Sequence, residues 1–153
     1  MAGEIRTYDH EKITLSLDFT DGPSINLTIG LVDSANAIQE NKDGPRYTRR
    51  GDRQGNYVRN RSPKQGGNLT LTYVAESPTN DELSAALLAD HRLGVDRVGT
   101  MVMKDLRGTT LVTYKGAFIE DDPAIAFGDT AADRVWVIGY ADREGVIGGA
   151  PIS

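Results

Sequence analysis

The chain has 153 residues, no cysteine and a formal net charge of −5. This length predicts one domain that can bury a core without cross-links, and the lack of cysteine excludes disulfides, thiolate chemistry and cysteine-ligated zinc. No apolar run approaches the roughly 20 residues that a bilayer-spanning helix needs, and residues 1–12 lack the regions of a signal peptide. We therefore expect a protein that is made and kept in a cytoplasm.

The charge is unevenly distributed along the chain. The segment 42–64 carries eight basic and two acidic residues, a net +6, so the rest of the chain sums to −11. A basic segment on an acidic body favours contact either with a polyanion or with an acidic copy of the same protein.

The first predicted element is a β-hairpin over residues 12–32. Apolar and polar residues alternate strictly over 12–19, the period-2 pattern of a strand with one buried face. Asp21, Gly22 and Pro23 are typical turn residues, and a second alternating run follows over 25–31.

No alternation is visible in residues 33–67, which are polar, charged and interrupted by glycine and proline. The sequence therefore predicts a long loop between the second and third strands. Loops of this length are uncommon in compact domains and are usually functional or disordered. We expect this one to become ordered on a partner, with its own strands extended from the body.

One helix is predicted between the third and fourth strands. Thr79 and Glu82 form a candidate capping box, and Gly94 is a candidate helix end. The predicted apolar stripe consists of Leu83, Ala86, Leu87 and Leu93.

The remaining periodic segments predict strands at 69–73, 98–104, 109–119 and 134–141. About six strands and one helix give an α+β domain that is mainly β. The segment 145–153 is glycine-rich, so it is predicted either as a mobile end or as a C-terminal arm that settles on a neighbouring subunit.

The sequence offers no set of residues for catalysis. The two histidines, His10 and His91, are predicted to be structural or solvent-facing. The acidic pairs at 121–122 and 81–82 lack the further ligands of a calcium loop, and no nucleophile elbow, phosphate-binding loop or dinucleotide fingerprint is present. We therefore predict no catalytic residues, no metal and no cofactor, and so a protein that is not an enzyme.

The basic segment has three possible roles. Its arginines, with Tyr47 and Tyr57 between them, could bind single-stranded nucleic acid through phosphate contacts and base stacking. The acidic body would repel the flanking strand, which favours self-association through the segment instead. A solvated loop without a partner is the third possibility.

Three segments in fixed order, 77–85 (SPTNDELSA), 103–109 (MKDLRGT) and 134–136 (RVW), resemble a family of phage structural proteins taken to be tail tube subunits. The opening residues Thr7, Tyr8 and Asp9 are also similar, so the resemblance covers nearly the whole chain 1–153 as a single domain. The segment 33–67 departs from it.

This resemblance implies a β-sandwich or half-barrel with one flanking helix, six copies per ring, and rings stacked into a hollow tube in the phage tail. DNA would pass through the lumen without specific binding and without any contact with a membrane. The implied partners are copies of the same chain, a tape-measure protein, a baseplate and, in a contractile tail, a sheath, with assembly in the cytoplasm of the host bacterium.

The segment 33–67 is then expected to provide contacts between subunits and between rings. The arginines predicted to make them are Arg46, Arg49, Arg50, Arg53, Arg59 and Arg61. Two alternatives stay open: a tube protein of a bacterial contractile injection or secretion system, and a cytoplasmic nucleic-acid-binding module that uses the basic segment.

Overall fold

The computed structural model describes residues 13–20, 22–32, 37–94, 96–106 and 109–148. These residues form ten strands and one helix: β1 (Ile13–Phe19), β2 (Ser24–Asn26), β3 (Ile38–Lys42), β4 (Tyr47–Gly51), β5 (Tyr57–Arg61), β6 (Gly67–Tyr73), α1 (Thr79–His91), β7 (Gly99–Asp105), β8 (Leu111–Asp121), β9 (Arg134–Tyr140) and β10 (Asp142–Val146). The predicted fold class, α+β and mainly β with one helix, is confirmed.

Eight strands form one antiparallel sheet in the order β2-β1-β7-β8-β9-β6-β3, with β10 also paired to β8, while β4 and β5 form a separate two-stranded sheet. Strand β8 connects the two halves of the large sheet. Its residues 111–117 pair with β7, and 111–115 also pair with β10, whereas Phe118, Ile119 and Asp121 pair with β9.

The change of partner along β8 follows a bend at Gly116. This residue has a φ of 67°, and the β7–β8 register shifts beside it, between Gly99 and Thr100. A glycine adopts this left-handed conformation without the steric cost that a Cβ imposes, and an extra residue in one strand of a pair bends that strand.

Both halves of the sheet contribute to one apolar core. The alternating residues of β1 and β6 point their apolar side chains inward, and Tyr73 at the end of β6 donates a 2.6 Å hydrogen bond to the carbonyl oxygen of Leu27. The large side chains that are at most 2% exposed in this core are Tyr73, Tyr114, Leu15, Leu17, Ile25, Leu27, Leu69, Leu71, Leu83, Met101, Trp136 and Ile138.

The predicted hairpin over 12–32 is confirmed as β1 and β2, but its second strand is short. After Asn26 the chain turns through Leu27 to Gly30. The carbonyl oxygen of Ile29 accepts hydrogen bonds from the hydroxyls of Ser77 and Thr79, so this part of the chain is held by the start of the helix rather than by β1.

The predicted capping box is wrong. Helix α1 begins at Thr79 with Pro78 as its N-cap residue, which makes no side-chain cap. The Thr79 hydroxyl bonds the carbonyl oxygen of Ile29 instead of a helical amide, and the Thr79 amide donates to the hydroxyl of Ser77 at 3.3 Å. Leu83 and Ala86 are buried and Leu87 packs against the core, as predicted. Leu93 is 75% exposed, since it follows the last helical residue, His91.

A partly buried hydrogen bond joins the helix to the sheet, and its loss is expected to destabilise the fold. The indole nitrogen of Trp136, which is 2% exposed, donates to Oδ1 of Asn80 at 2.9 Å. We expect Asn80→Ala to lower the free energy of unfolding by about 1–3 kcal/mol, because the indole N–H is left unpaired. Urea denaturation followed by the fluorescence of this single tryptophan measures the change.

Ser84→Ala, at an exposed position of the same helix, is the matched control and should shift the free energy of unfolding by less than about 0.5 kcal/mol. Equal urea midpoints for Asn80→Ala and Ser84→Ala would contradict this account of the helix contact.

Candidate assembly site: the basic arm

The segment predicted as a long loop, 33–67, contains β3, β4 and β5 together with the first residue of β6. Residues 43–66, here called the arm, continue the β3–β6 pair: the amide of Asp43 donates to the carbonyl of Gly66 at 3.1 Å, and the amide of Ser62 donates to that of Arg46 at 2.9 Å. Every residue from 47 to 61 is exposed, so the hairpin of β4 and β5 lies free of the core.

The β4–β5 register places arginine and tyrosine side chains on one face of the arm. Tyr47 is opposite Arg61, Arg49 is opposite Arg59, and Gly51 is opposite Tyr57. Because directly opposite residues of a strand pair share a face, the five side chains form one surface, here called the Arg–Tyr face.

Cation–π contacts order part of this face. The guanidinium carbon of Arg59 lies 4.5 Å from the ring centroid of Tyr47, and that of Arg61 lies 5.7 Å from it. Such contacts are worth about 0.5–1 kcal/mol at exposed sites. The face is therefore cationic and partly preorganised.

The structure distributes the six predicted arginines over four places. Arg49, Arg59 and Arg61 belong to the Arg–Tyr face, Arg50 lies on the opposite face, and Arg53 lies in the turn between β4 and β5. The guanidinium of Arg46 lies at the base, where it donates a 3.4 Å hydrogen bond to the carbonyl oxygen of Arg143.

A polar cluster that the sequence did not predict holds the base of the arm. The carboxylate of Glu40, on β3, forms an ion pair with Arg143 of β10, and it accepts a 2.8 Å hydrogen bond from the hydroxyl of Tyr114. The two charged side chains are 21% and 15% exposed, respectively. The cluster thus joins the edge strand next to the arm to the opposite half of the sheet.

The phenols of this cluster stay protonated near neutral pH. Burial, followed by the hydrogen bond to Glu40, raises the pKa of Tyr114 above its ordinary value. Burial, followed by the charge of Glu40, raises the pKa of Tyr140 to about 12. The two ring centroids lie 4.7 Å apart, and the neutral Tyr114 hydroxyl keeps the proton that it donates to Glu40.

The turn of the arm is held by one carboxylate. Oδ1 of Asp52 accepts hydrogen bonds from the amides of Gln54 and Asn56, both at 2.9 Å, and Gly55 takes the left-handed conformation with a φ of 85°. The hydrogen bond from the Asn56 amide, the largest influence, lowers the pKa of Asp52. The exposed tip therefore has defined local structure without any contact with the core.

The other predicted features occupy structural positions. His91 is the exposed last residue of α1, while His10 lies outside the described residues. The pair 81–82 lies in the first turn of α1, and Oδ1 of Asp121, the last residue of β8, accepts a hydrogen bond from the amide of Asp122. Among the residues that the structure covers, no cluster of acidic or histidine side chains could hold a metal ion.

The predicted C-terminal arm, 145–153, begins inside β10. Residues 145 and 146 pair with β8, and the amide of Gly148 donates to the hydroxyl of Thr110 at 2.9 Å, so the described part of this segment packs on its own domain. Residues 149–153 lie outside the described part.

None of the helical residues described forms a segment long and apolar enough to cross a membrane.

Breaking the ion pair at the base is expected to destabilise the domain. Arg143→Met leaves the half-buried Glu40 carboxylate without its cation, so we expect the free energy of unfolding to fall by about 1–3 kcal/mol, as measured by urea denaturation. Glu40→Gln, which keeps an acceptor for the Tyr114 hydroxyl, should cost less. Because the two partners are coupled, the double variant should lose less than the sum of the single losses.

Lys115→Met is the matched control. It breaks the ion pair between Lys115 and Glu144, whose side chains are 52% and 61% exposed, and such pairs are worth about 0–1 kcal/mol. Equal losses for Lys115→Met and Arg143→Met would show that burial of the basal cluster adds nothing.

The arm tip should loosen as the pH falls. Because the folded pKa of Asp52 is depressed, its contribution to the turn is present above the ordinary value of 3.8 and is lost as the pH falls through the lowered folded pKa. In an NMR titration, the amide signals of Gln54 and Asn56 should move together with a midpoint below 3.8. Asp52→Asn should abolish this titration, and a midpoint at or above the ordinary value would contradict the geometry.

No protein-family profile and no curated protein sequence matches the chain. Solved structures do match it. The tube-terminating cap of the anti-feeding prophage, AFP, has a TM-score of 0.57 at 14% identity, covering 95% of this chain and 97% of that one. The PVC sheath/tube terminator, from an extracellular contractile injection system in its extended state, has a TM-score of 0.60 at 14% identity, covering 95% and 100%.

A chain of the PVC sheath-tube complex in the extended state has a TM-score of 0.53 at 12% identity, covering 92% of this chain and 93% of that one. The similarity therefore spans nearly the full length of each chain. At these identities it establishes the fold: this chain has the fold of structural components of contractile injection systems.

Proposed function

We propose that this protein is a structural subunit of the tube of a phage tail or a related injection particle, and that it works by assembling with its own copies into stacked rings. The observation that carries the proposal is the arm: a segment with a net charge of +5 over residues 43–66, on an acidic body, whose hairpin is exposed at every residue from 47 to 61. The fold shared with components of tube and sheath complexes supports it.

The arm is better explained by a partner than by the stability of the monomer. A two-stranded hairpin with every residue exposed buries little apolar surface, and isolated hairpins are marginal in water. A self-contained turn, cation–π contacts and a basal ion pair nevertheless order it. Order of this kind lowers the entropy cost of association.

The edges of the large sheet supply a second kind of contact. Among the described strands, β2, β3 and β10 each pair with one neighbour only, which leaves backbone groups free to pair with another chain. Closing such edges against neighbouring copies around a ring removes an aggregation hazard of the monomer. Six copies per ring is the number implied by the resemblance in the sequence.

In this proposal the protein makes and breaks no bond and needs no cofactor. Rings stack around a tape-measure protein, a baseplate lies at one end, and a sheath surrounds the tube in a contractile particle. DNA passes through the lumen of a phage tail without specific binding. The assembled tube is part of the virion.

A tube terminator is the second candidate. Two of the matching structures are a tube-terminating cap and a sheath/tube terminator, with TM-scores of 0.57 and 0.60. A terminator ends a tube instead of extending it, so it would form a ring that does not stack on further copies of itself.

Electron microscopy of the purified protein across a concentration series tests these proposals. Because ring and stack contacts both join copies of one chain, we expect rings at low concentration and hollow tubes at high concentration. Rings that never lengthen would favour the terminator. Monomers at every concentration would contradict both proposals, and salt-sensitive binding of single-stranded DNA by those monomers would favour the nucleic-acid-binding module.

The variant Arg49→Ala/Arg59→Ala/Arg61→Ala tests the arm in the same series. We expect tubes to need at least about tenfold more protein, equivalent to about 1.4 kcal/mol, with rings retained. Arg92→Ala, which removes an exposed cation just after the helix, is the control and should assemble like the wild type. Tubes from the triple variant at the wild-type concentration would show that the arm is not a stacking contact.

A further inference from the structure

A second surface of the chain carries acidic side chains, which complement the basic side chains of the arm. The acidic loop, defined here as residues 121–133, joins β8 to β9 and contains four aspartates and no basic residue. It also exposes two large apolar side chains, Ile125 at 74% and Phe127 at 85%. Exposed apolar groups surrounded by charge are typical of interaction surfaces.

The acidic loop begins beside the middle of β6 and ends at the end of β6 that is farther from the arm. Asp121, its first residue, pairs with Val137, which pairs with Thr70. Gly67, where the arm returns to the body, pairs with Tyr140, whereas Tyr73 pairs with Arg134, the residue after the acidic loop. At about 3.3 Å per residue, the far end of the loop is about 20 Å from Gly67. The arm continues the β3–β6 pair and so extends away from the acidic loop of its own chain.

The two surfaces match in charge and in apolar character. The arm has a net charge of +5 and the acidic loop −4. Tyr57, which is 70% exposed on the Arg–Tyr face, offers an apolar ring for Phe127 and Ile125. The Cζ atom of Arg134 lies 5.3 Å from the ring centroid of Phe127, so this ring already makes one cation–π contact. It is therefore suited to contact with an arginine of the arm.

We propose that the Arg–Tyr face of one copy docks on the acidic loop of the next copy, as the contact that stacks one ring on another. This inference rests on the proposed function and names both sides of its axial contact. Because different surfaces meet, the contact is heterologous: each copy offers one arm and one acidic loop, and repetition gives an open, polar stack instead of a closed dimer.

Cysteine cross-linking tests the contact directly, since the chain has no cysteine of its own. One preparation carries Tyr57→Cys and the other Phe127→Cys, and the two are mixed, assembled and treated with a short bismaleimide. We expect a mixed dimer on a denaturing gel, because the linker joins thiols whose Cα atoms lie farther apart than the roughly 7 Å that a disulfide allows. Two pairings serve as controls. In the first, Val58→Cys, on the opposite face of the same strand, replaces Tyr57→Cys. In the second, Leu93→Cys, after α1, replaces Phe127→Cys.

Each control pairing should give at most about a tenth of the mixed dimer that Tyr57→Cys and Phe127→Cys give. Assembled protein that forms no cross-link between positions 57 and 127 overturns the docking and leaves the proposed function standing. Cross-linking through Val58→Cys in place of Tyr57→Cys has the same meaning. Protein that stays monomeric at every concentration overturns the proposed function, and the docking with it.

Charge reversal provides the second measurement. We expect Arg49→Glu/Arg59→Glu/Arg61→Glu and Asp122→Lys/Asp129→Lys/Asp133→Lys each to raise the protein concentration needed for tubes by at least about tenfold. A chain that carries both triple reversals should regain tubes, because its arm and loop are again complementary. Circular dichroism checks that each variant stays folded.

Wild-type assembly by the loop variant, or failure of the folded double reversal to restore tubes, overturns the docking.

Discussion

The bend of β8 at Gly116 is the constraint on which the rest of the architecture depends. It lets one strand pair with β7 and β10 over its first part and with β9 over its last part, so that both halves of the sheet enclose one core. With β10 held on β8, Arg143 reaches Glu40 on the edge strand beside the arm. The left-handed backbone conformation of Gly116 is therefore linked, through β8 and β10, to the ion pair at the base of the arm.

The ion pair at that base is better understood as a positioning element than as a source of stability. Removing two charges from water costs about as much as their attraction returns, so a half-buried pair contributes little net free energy compared with apolar side chains of the same size. It does, however, fix a position. Glu40 meets Arg143 and the Tyr114 hydroxyl together, and this arrangement ties the edge strand that leads into the arm to the opposite half of the sheet. In the proposed assembly, an arm with a fixed base would lose less conformational freedom on binding.

Sequence periodicity predicted the elements whose one face is buried, and it failed where that condition does not hold. Strands such as β1 and β6 show strict alternation because one face packs on the core. The strands of the arm are exposed on both faces, so they have no apolar period, although their charge marked the segment as a candidate site. The start of α1 was misread because the Thr79 hydroxyl bonds a carbonyl 50 residues away. Glu40 and Arg143, 103 residues apart, gave no local signal at all.

The edge-strand contacts and the arm contacts proposed for this chain differ in physical basis, and that difference fits the proposed tube. Edge strands such as β3 and β10 can pair through backbone hydrogen bonds, which depend little on side-chain identity or salt. Contacts made by the arm rest on charge, which is screened beyond about 8 Å at physiological ionic strength, so they act only once surfaces are close. In the proposed assembly, backbone pairing would therefore close a ring first, and such a ring would present all its arms at one end. In the proposed assembly, several weak ionic contacts acting together would then stack the rings in one direction, without making any single subunit adhesive.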